Sequence, residues 1–219
     1  MIFAVDVDGT ISSANAEGIY RFFIQELGLD IPASVLETLT TFGAFLSLPQ
    51  VVQFRKANER LFLAARHKAI ETPGFLLALV PMPLAAQELH YLSFFGEVRY
   101  CTARVPEVQG VTQQWLEQHG FPYGQVECCS TIAQKVQRLA SYQPAQEPIM
   151  LIDDRGHTDM PKALHHVPDL ASRLSILAFG VSDVPVSITF FLGALPAWSH
   201  IREVVASLPL AGVHKEVVR

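Results

Sequence analysis

Residues 2–10 read IFAVDVDGT, and this stretch decides the fold. Residues 2–7 form an apolar run rich in β-branched residues, interrupted by Asp6, and an Asp-Gly turn signal follows it. Such a run predicts a strand buried on both faces in a parallel sheet. The carboxylates of Asp6 and Asp8 then converge at the end of that strand, where one can attack phosphorus and the other can protonate the leaving oxygen. A turn with two solvated aspartates is the alternative.

From Leu84 onward, strand patterns alternate with helical patterns, which is typical of a parallel sheet with helices on both faces. In such sheets, ligands bind beyond the carboxyl ends of the strands. We therefore predict an α/β fold with a Rossmann-like parallel-sheet core. The predicted strands are 98–101, 126–129, 148–152 and 174–179, and the predicted helices are 84–94, 108–119 and 131–142, the last capped by Ser130.

The stretch between the first strand and Leu84 differs, because its apolar residues keep helical spacing. We predict helices at 16–27, at 34–45 with Ser34 as the N-cap, and at 51–70. The predicted division is a core of residues 1–13 and 82–219 with an inserted helical cap domain of residues 14–81, hinged near 12–16 and 80–83. Arg55, Lys56 and Arg60 of this insertion can contact an anionic substrate tail, although a solvated helix face is the simpler explanation.

Composition excludes several classes of protein. Half of the 219 residues are hydrophobic and 17% are charged, which supports a buried core rather than disorder. The net charge is −5 without a Lys/Arg block, so a nucleic-acid polymer is not the expected partner. The apolar stretch 184–198 contains two prolines and is too short to span a membrane. Three cysteines, an odd number, indicate a reduced cytoplasmic protein. The expected partner is a small-molecule phosphate ester, and the expected assembly is a monomer or a homodimer.

Three further positions carry candidate chemistry. Thr102, in YCTAR, can offer its hydroxyl and nearby N–H groups to a phosphate, although a simple strand-to-helix cap would look the same. Lys135 is the only lysine between Arg104 and Lys162, and a cation there would offset carboxylate and phosphate charge. The adjacent acids Asp153 and Asp154 follow an apolar strand, and a hard divalent cation would relieve their repulsion.

In chain order, DVDGT, the threonine of CTAR, Lys135 and LIDD resemble the four signature motifs of the haloacid dehalogenase (HAD) superfamily. The resemblance covers essentially the whole chain, because the helical stretch lies where that family inserts its first-type cap. Dehalogenating members lack an acid at the position of Asp8, and transport ATPases carry a lysine there. The resemblance therefore implies a Mg²⁺-dependent phosphatase that hydrolyses a small-molecule phosphomonoester, such as a nucleotide or sugar phosphate, through an aspartyl-phosphate.

The resemblance also implies a role for each matching residue. Asp6 is the nucleophile and a metal ligand, and Asp8 is the general acid/base, whose carbonyl binds the metal. Asp154 is the direct metal ligand of its pair, with Asp153 in support. The residues implied in phosphate binding are Gly9, Thr10, Thr102, Ala103, Arg104 and Lys135, with Arg138 as the rival of Lys135. The part played by Asp159, five residues after Asp154, stays open.

One narrower resemblance refines the predicted phosphatase function, and two other functions are alternatives to it. The segments LIDDR and TAR also resemble phosphatases of the deoxyribonucleotidase kind. A phosphomutase uses the same pair of aspartates but returns the phosphoryl group to the product. A non-catalytic binding protein would keep the HAD-like fold alone.

Overall fold

The computed structural model describes residues 1–14, 17–39, 41–181 and 191–207, and it contains a six-stranded parallel sheet. In chain order the strands are β1 (Ile2–Val5), β2 (Ser12–Ser13), β3 (Val80–Pro81), β4 (Glu97–Thr102), β5 (Gln125–Cys128), β6 (Ile149–Asp153), β7 (Leu174–Phe179) and β8 (Phe191–Leu195). The order across the sheet is β5-β4-β1-β6-β7-β8, and every neighbouring pair is parallel. The predicted fold class is confirmed.

Strand β1 lies in the middle of the sheet because both of its faces are apolar. Phe3 and Val5 point to one hydrophobic core, whereas Ile2 and Ala4 point to the other, as the two-residue period of a strand requires. All four are buried, and each large side chain of this kind contributes about 1.5–3 kcal/mol when it leaves water. The sheet therefore presents the residues that follow β1 at the centre of its carboxyl edge.

Helices cover both faces of the sheet and fill the insertion. They are α1 (Glu17–Leu27), α2 (Ala33–Leu36), α3 (Phe42–Leu46), α4 (Pro49–Ala57), α5 (Glu59–Glu71), α6 (Pro73–Leu77), α7 (Ala85–Ser93), α8 (Gln109–Gln118), α9 (Ile132–Ala140), α10 (Gly156–Asp159), α11 (Pro161–Leu164), α12 (Pro168–Ala171) and α13 (Ile201–Ser207), with 3-10 helices at Pro106–Val108 and Trp198–His200. Among the described residues, no helix combines the length and the apolar character needed to cross a bilayer.

Strands β2 and β3 form a separate antiparallel pair in which Ser12 faces Pro81 and Ser13 faces Val80. The chain therefore leaves the sheet and returns to it side by side, with α1–α6 in between. Both strands lie at the predicted hinges and close to the ends of the predicted cap domain. The division of the chain into two domains remains a prediction.

Two predicted helices are wrong in extent. The stretch 34–45 contains two short helices, α2 and α3, and Thr41 rather than Ser34 provides a side-chain cap, by accepting a hydrogen bond from the N–H of Ala44 at 3.0 Å. The stretch 51–70 is divided between α4 and α5 at Asn58, whose φ of −137° and ψ of 46° are not helical. Asparagine competes with the helical backbone for hydrogen bonds, so it interrupts a helix that apolar spacing alone would continue.

The apolar stretch 184–198 lies partly outside the described residues. Its described part contains β8, which the sequence pattern did not predict, and the beginning of the 3-10 helix at Trp198. Strand β8 adds to the edge of the sheet beside β7. The described part of this stretch, residues 191–198, therefore belongs to the α/β core.

Candidate active site

Asp6 stands directly after β1, at the carboxyl edge of the sheet. Its N–H donates to the carbonyl of Ile152 on β6 at 2.9 Å, which fixes the backbone at this point. Its carboxylate is buried, and Oδ1 accepts a hydrogen bond from Nζ of Lys135 at 2.7 Å. The predicted nucleophile and the predicted cation are therefore in direct contact.

Lys135 lies on α9 and bridges two carboxylates. Its Nζ is 2.7 Å from Oδ1 of Asp6 and 2.7 Å from Oδ2 of Asp153, and the side chain is buried. Burial disfavours the charged ammonium group, yet the charges of Asp6 and Asp153 outweigh it and raise the pKa of Lys135. Arg138, the rival cation, lies half exposed one turn later, with Nε 3.4 Å from Oε1 of Glu127. The geometry favours Lys135 as the cation at this site.

The two acids after β6 occupy different environments. Asp153 is buried, and both of its oxygens accept hydrogen bonds, one from Lys135 and the other from the N–H of Arg155 at 2.8 Å. The carboxylate of Asp154 lies against Gly9, where an added Cβ would come within 2.5 Å of Oδ2. Gly9 also has a φ of +85°, which favours glycine. This close approach brings the loop after β1 against the loop after β6.

The acidic residues form a cluster that fits a divalent cation. One ligand oxygen from each of Asp6, Asp153 and Asp154 lies within 4.8 Å of the others, and a hard cation such as Mg²⁺ prefers such oxygen ligands. Both oxygens of Asp153 already accept hydrogen bonds, whereas the described part of the chain shows no hydrogen bond to the carboxylate of Asp154. Asp154 is therefore better suited to bind a metal directly, with Asp153 in support.

The pKa values of this cluster reflect its excess of negative charge. The pKa of Asp6 is raised to about 7 mainly by burial, against the opposing charge of Lys135 and with smaller contributions from Asp153 and Asp8. Burial and then the charge of Asp153 raise the pKa of Asp154 to about 6. A bound cation would stabilise the charged forms of Asp6 and Asp154. Their raised pKa values therefore agree with a cation site formed by these carboxylates.

Asp8 forms a bidentate ion pair with Arg104. Nε and Nη2 of Arg104 donate to Oδ2 and Oδ1 of Asp8 at 2.8 and 2.6 Å, and Nη1 donates to Oγ1 of Thr112 at 2.9 Å. Oγ of Ser12 also donates to Oδ1 of Asp8 at 3.3 Å. The pairing of Arg104 with Asp8 was not apparent from the sequence, and a direct contact between Arg104 and phosphate remains a prediction.

Thr10 connects the first motif to two distant parts of the chain. Its Oγ1 accepts a hydrogen bond from the N–H of Asp154 at 3.1 Å, and its carbonyl accepts one from Nε1 of Trp198 at 2.9 Å. Trp198 is buried, and its sequence context indicates a packing residue only. Its hydrogen bond holds the loop that carries Asp8 and Gly9, a role for which the local sequence provides no signal.

The remaining predicted residues lie around this cluster. Thr102 is buried at the end of β4, next to β1, and its carbonyl accepts a hydrogen bond from the N–H of Cys129 at 2.9 Å. Ala103 follows it and leads to Arg104. Asp159 lies outside the acidic cluster and pairs with Arg155 at 2.8 Å. The phosphate-binding roles of Thr102 and Ala103 remain predictions.

Comparisons with known proteins identify the fold. No protein-family model matches the chain, and no curated protein shows significant similarity to it. Solved structures do match over nearly the full length of both chains. A magnesium-bound structure of YfnB from Bacillus subtilis has a TM-score of 0.55 and 12% identity, with 93% of this chain and 97% of that chain covered. L-2-haloacid dehalogenase from Xanthobacter autotrophicus has a TM-score of 0.54 and 11% identity, with 94% and 98% covered.

A third structure, a HAD family hydrolase from Deinococcus radiodurans with bound phosphate and sodium, has a TM-score of 0.51 and 14% identity, with 95% of this chain and 96% of that chain covered. The chain has a HAD-like fold. The resemblance predicted from the four motifs is thus confirmed at the level of the fold. Because a dehalogenase shares this fold, the reaction must be argued from the site residues. The resemblance to deoxyribonucleotidases remains a prediction.

Proposed function

We propose that this HAD-like protein is a Mg²⁺-dependent phosphatase that hydrolyses a small-molecule phosphomonoester. The observation that carries the proposal is the contact of a buried aspartate, Asp6, with Lys135 inside a cluster of three carboxylates. A second acid, Asp8, lies two residues further along the same loop. A nucleophile, a cation and an acid/base are the groups that phosphoryl transfer through a covalent intermediate requires.

The first step transfers the phosphoryl group to the protein. An oxygen of Asp6 attacks phosphorus, the bond between phosphorus and the ester oxygen breaks, and Asp8 gives a proton to that oxygen. The alcohol leaves, Asp6 carries the phosphoryl group, and Asp8 is a carboxylate. Lys135 holds Oδ1 of Asp6 and offsets the charge that gathers around it.

The second step releases phosphate and restores the site. Asp8 takes a proton from water, the water oxygen bonds to phosphorus, and the bond between phosphorus and Asp6 breaks. The products are inorganic phosphate, an Asp6 carboxylate and a protonated Asp8. The same acid thus serves both steps, in opposite directions.

The residues around Asp6 fit a magnesium ion. The side chains of Asp6 and Asp154 and the carbonyl of Asp8 would hold it, with Asp153 in support. A magnesium ion held by these residues would offset the repulsion between the Asp6 carboxylate and the phosphate dianion. Without that charge, an anionic nucleophile approaches an anionic substrate poorly.

The acid at position 8 supports phosphoester hydrolysis over dehalogenation. A nucleotide or a sugar phosphate is the proposed substrate class, and the TAR and LIDDR segments favour the nucleotide. All three cysteines are free, which supports the reducing cytoplasm as the proposed location. A monomer or a homodimer is the proposed assembly.

The test is the loss of the nucleophile. Asp6→Asn should lower the turnover of p-nitrophenyl phosphate by about 10⁴-fold or more, because the amide cannot form the covalent intermediate. Asp169→Asn, at an exposed position on α12, is the matched control and should keep wild-type turnover. Wild-type turnover by Asp6→Asn would contradict the proposed nucleophile.

Two assays separate the proposed function from its alternatives. Free phosphate should accumulate from a panel of phosphate esters only when magnesium is present, whereas a phosphomutase would yield an isomer without free phosphate. Beryllium fluoride with magnesium should raise the Tm, because together they imitate the phosphorylated aspartate. A protein that neither releases phosphate nor responds to beryllium fluoride would be a binding protein instead.

A further inference from the structure

We propose that Arg104 is a positioning residue that holds the Asp8 carboxylate in line with the leaving group, an inference that rests on the phosphatase function proposed above. The planar fork of an arginine matches a carboxylate in one orientation only. Nε and Nη2 meet the two oxygens of Asp8 at 2.8 and 2.6 Å, so the pair fixes both the position and the rotation of the carboxylate.

Burial distinguishes this pair from a surface ion pair. The side chain of Arg104 is 0% exposed, whereas that of Asp8 is 42% exposed. The arginine therefore lies behind the aspartate, and the exposed part of the carboxylate is available to a substrate. The burial of the guanidinium group suits a residue that orients Asp8 from the interior of the protein.

Arg104 is itself held in position by a chain of hydrogen bonds. Nη1 donates to Oγ1 of Thr112 at 2.9 Å, and that hydroxyl donates to the carbonyl of Val108 at 3.0 Å. Thr112 is completely buried on α8. The orientation of Asp8 therefore depends on helix α8 through Arg104, because the hydrogen bonds of the described Asp8 side chain come from Ser12 and Arg104 rather than from α8.

The expected consequence is a dependence on the leaving group. In the first step, the electron pair of the broken bond stays on the ester oxygen. Phenolate needs the proton of Asp8, whereas 2,4-dinitrophenolate is stable without it. General acid catalysis contributes about 10²–10⁴-fold, and a misplaced acid forfeits part of this factor only where the proton is needed.

The experiment compares phenyl phosphate with 2,4-dinitrophenyl phosphate in the full-length protein. The quantity is kcat/KM, because it reports the steps up to release of the phenol and excludes hydrolysis of the aspartyl-phosphate. Arg104→Gln should lower kcat/KM for phenyl phosphate by roughly 10²-fold and that for the dinitrophenyl ester by less than about fivefold. Arg104→Lys keeps the charge without the fork and should show an intermediate loss.

Two further variants separate positioning from folding. Thr112→Val keeps the size of the side chain and removes the acceptor for Nη1, so it should shift the ratio of the two kcat/KM values in the same direction, by roughly tenfold or less. Arg66→Gln, at an exposed position on α5, should leave the ratio unchanged. Stabilisation by magnesium and beryllium fluoride, which needs Asp6 rather than the side chain of Asp8, reports that each variant is folded.

The outcomes are distinct. A selective loss on phenyl phosphate in the Arg104 and Thr112 variants supports the inference. Equal losses on both esters, or an unchanged ratio, overturn it while leaving the proposed phosphatase intact. If Arg104→Gln does not fold, the ratio measured for Thr112→Val decides. A wild-type protein that hydrolyses neither ester overturns the proposed function itself, and the inference with it.

Discussion

Asp6 and Asp154 are carboxyl groups whose pKa values the fold raises above that of an ordinary aspartate. Burial is the main cause for both, and neighbouring acids add to it, most strongly Asp153 in each case. Their pKa values are raised from 3.8 to about 7 for Asp6 and to about 6 for Asp154. In the unfolded chain, both carboxyl groups would lose their protons near the ordinary aspartate pKa. Between that pH and the raised pKa values, the folded state therefore binds more protons than the unfolded state.

This difference predicts how stability and magnesium binding depend on pH. The stabilising contribution of the two raised pKa values is present at low pH and is lost as the pH rises from about 4 to about 7. Magnesium needs deprotonated carboxylates, so it competes with protons at low pH. The increase in Tm on adding magnesium should therefore be larger at about pH 8 than at about pH 5, as measured by thermal unfolding.

The double variant Asp6→Asn, Asp154→Asn is the control for this prediction. It removes both titrating groups without changing their size, so the magnesium-dependent increase in Tm should be small at either pH. An equal increase for the wild-type protein at both pH values would contradict a magnesium site made of these carboxylates.

The sequence could predict the carboxylates of the site but not all of their partners. Asp6, Asp153 and Asp154 end parallel strands, and the carboxyl ends of such strands share one edge. Lys135 and Arg138 lie within one turn of each other, so the sequence does not distinguish them, whereas in the structure Lys135 contacts Asp6 and Asp153 and Arg138 contacts Glu127. The hydrogen bonds of Asp8 with Arg104 and of Thr10 with Trp198 join residues 96 and 188 positions apart, and no local pattern reports such contacts.

At the scale of secondary structure, α9 matters most to the proposed chemistry because it carries Lys135. Oγ1 of Thr131 caps the helix by accepting a hydrogen bond from the N–H of Gln134 at 3.2 Å. The sequence predicts Ser130 as the cap, but Ser130 has a φ of +55°, whereas Thr131 has the extended backbone that an N-cap requires. The adjacent Val136 is buried as well and packs into the hydrophobic core that contains Ile2 and Ala4.

The N-cap of α9 leads to a prediction with an internal control. Thr131→Ala and Thr41→Ala each remove one side-chain cap, at α9 and at α3. Each substitution should cost about 1 kcal/mol of unfolding free energy, measured by urea denaturation. Only Thr131→Ala should also lower the turnover of p-nitrophenyl phosphate, because fraying of α9 displaces Lys135 from Asp6. Equal effects of both variants on turnover would contradict this role of the cap.

Helices and strands could be predicted from the sequence where their apolar residues follow a single regular pattern. Strand β7 has the predicted bounds, because a buried run between turns is its only pattern. The break at Asn58 and the edge strand β8 were missed for different reasons. The break depends on the single residue Asn58, whose side chain competes for the hydrogen bonds of the helical backbone. Strand β8 depends on its pairing with β7, which is a tertiary contact.

At the scale of the whole molecule, two buried tryptophans anchor two different connections of the chain. Nε1 of Trp115, on α8, donates to the carbonyl of Leu79 at 2.8 Å, just before β3 returns the chain from the insertion. Nε1 of Trp198 donates to the carbonyl of Thr10 at 2.9 Å, in the loop after β1. One tryptophan therefore anchors the linker of the helical insertion, and the other anchors the candidate catalytic loop.

These two anchors should separate stability from catalysis. Trp115→Phe and Trp198→Phe each keep an aromatic ring but leave a buried carbonyl without its donor, at a cost of about 1–3 kcal/mol in unfolding free energy. Only Trp198→Phe frees the loop in which Thr10 accepts from Asp154, so it alone should lower kcat for p-nitrophenyl phosphate and the Tm increase caused by magnesium and beryllium fluoride. Trp115→Phe is the matched control, with comparable destabilisation and an intact site. If both variants lost stability but Trp198→Phe kept the wild-type kcat and the full Tm increase, the loop after β1 would need no support from the C-terminal part of the core.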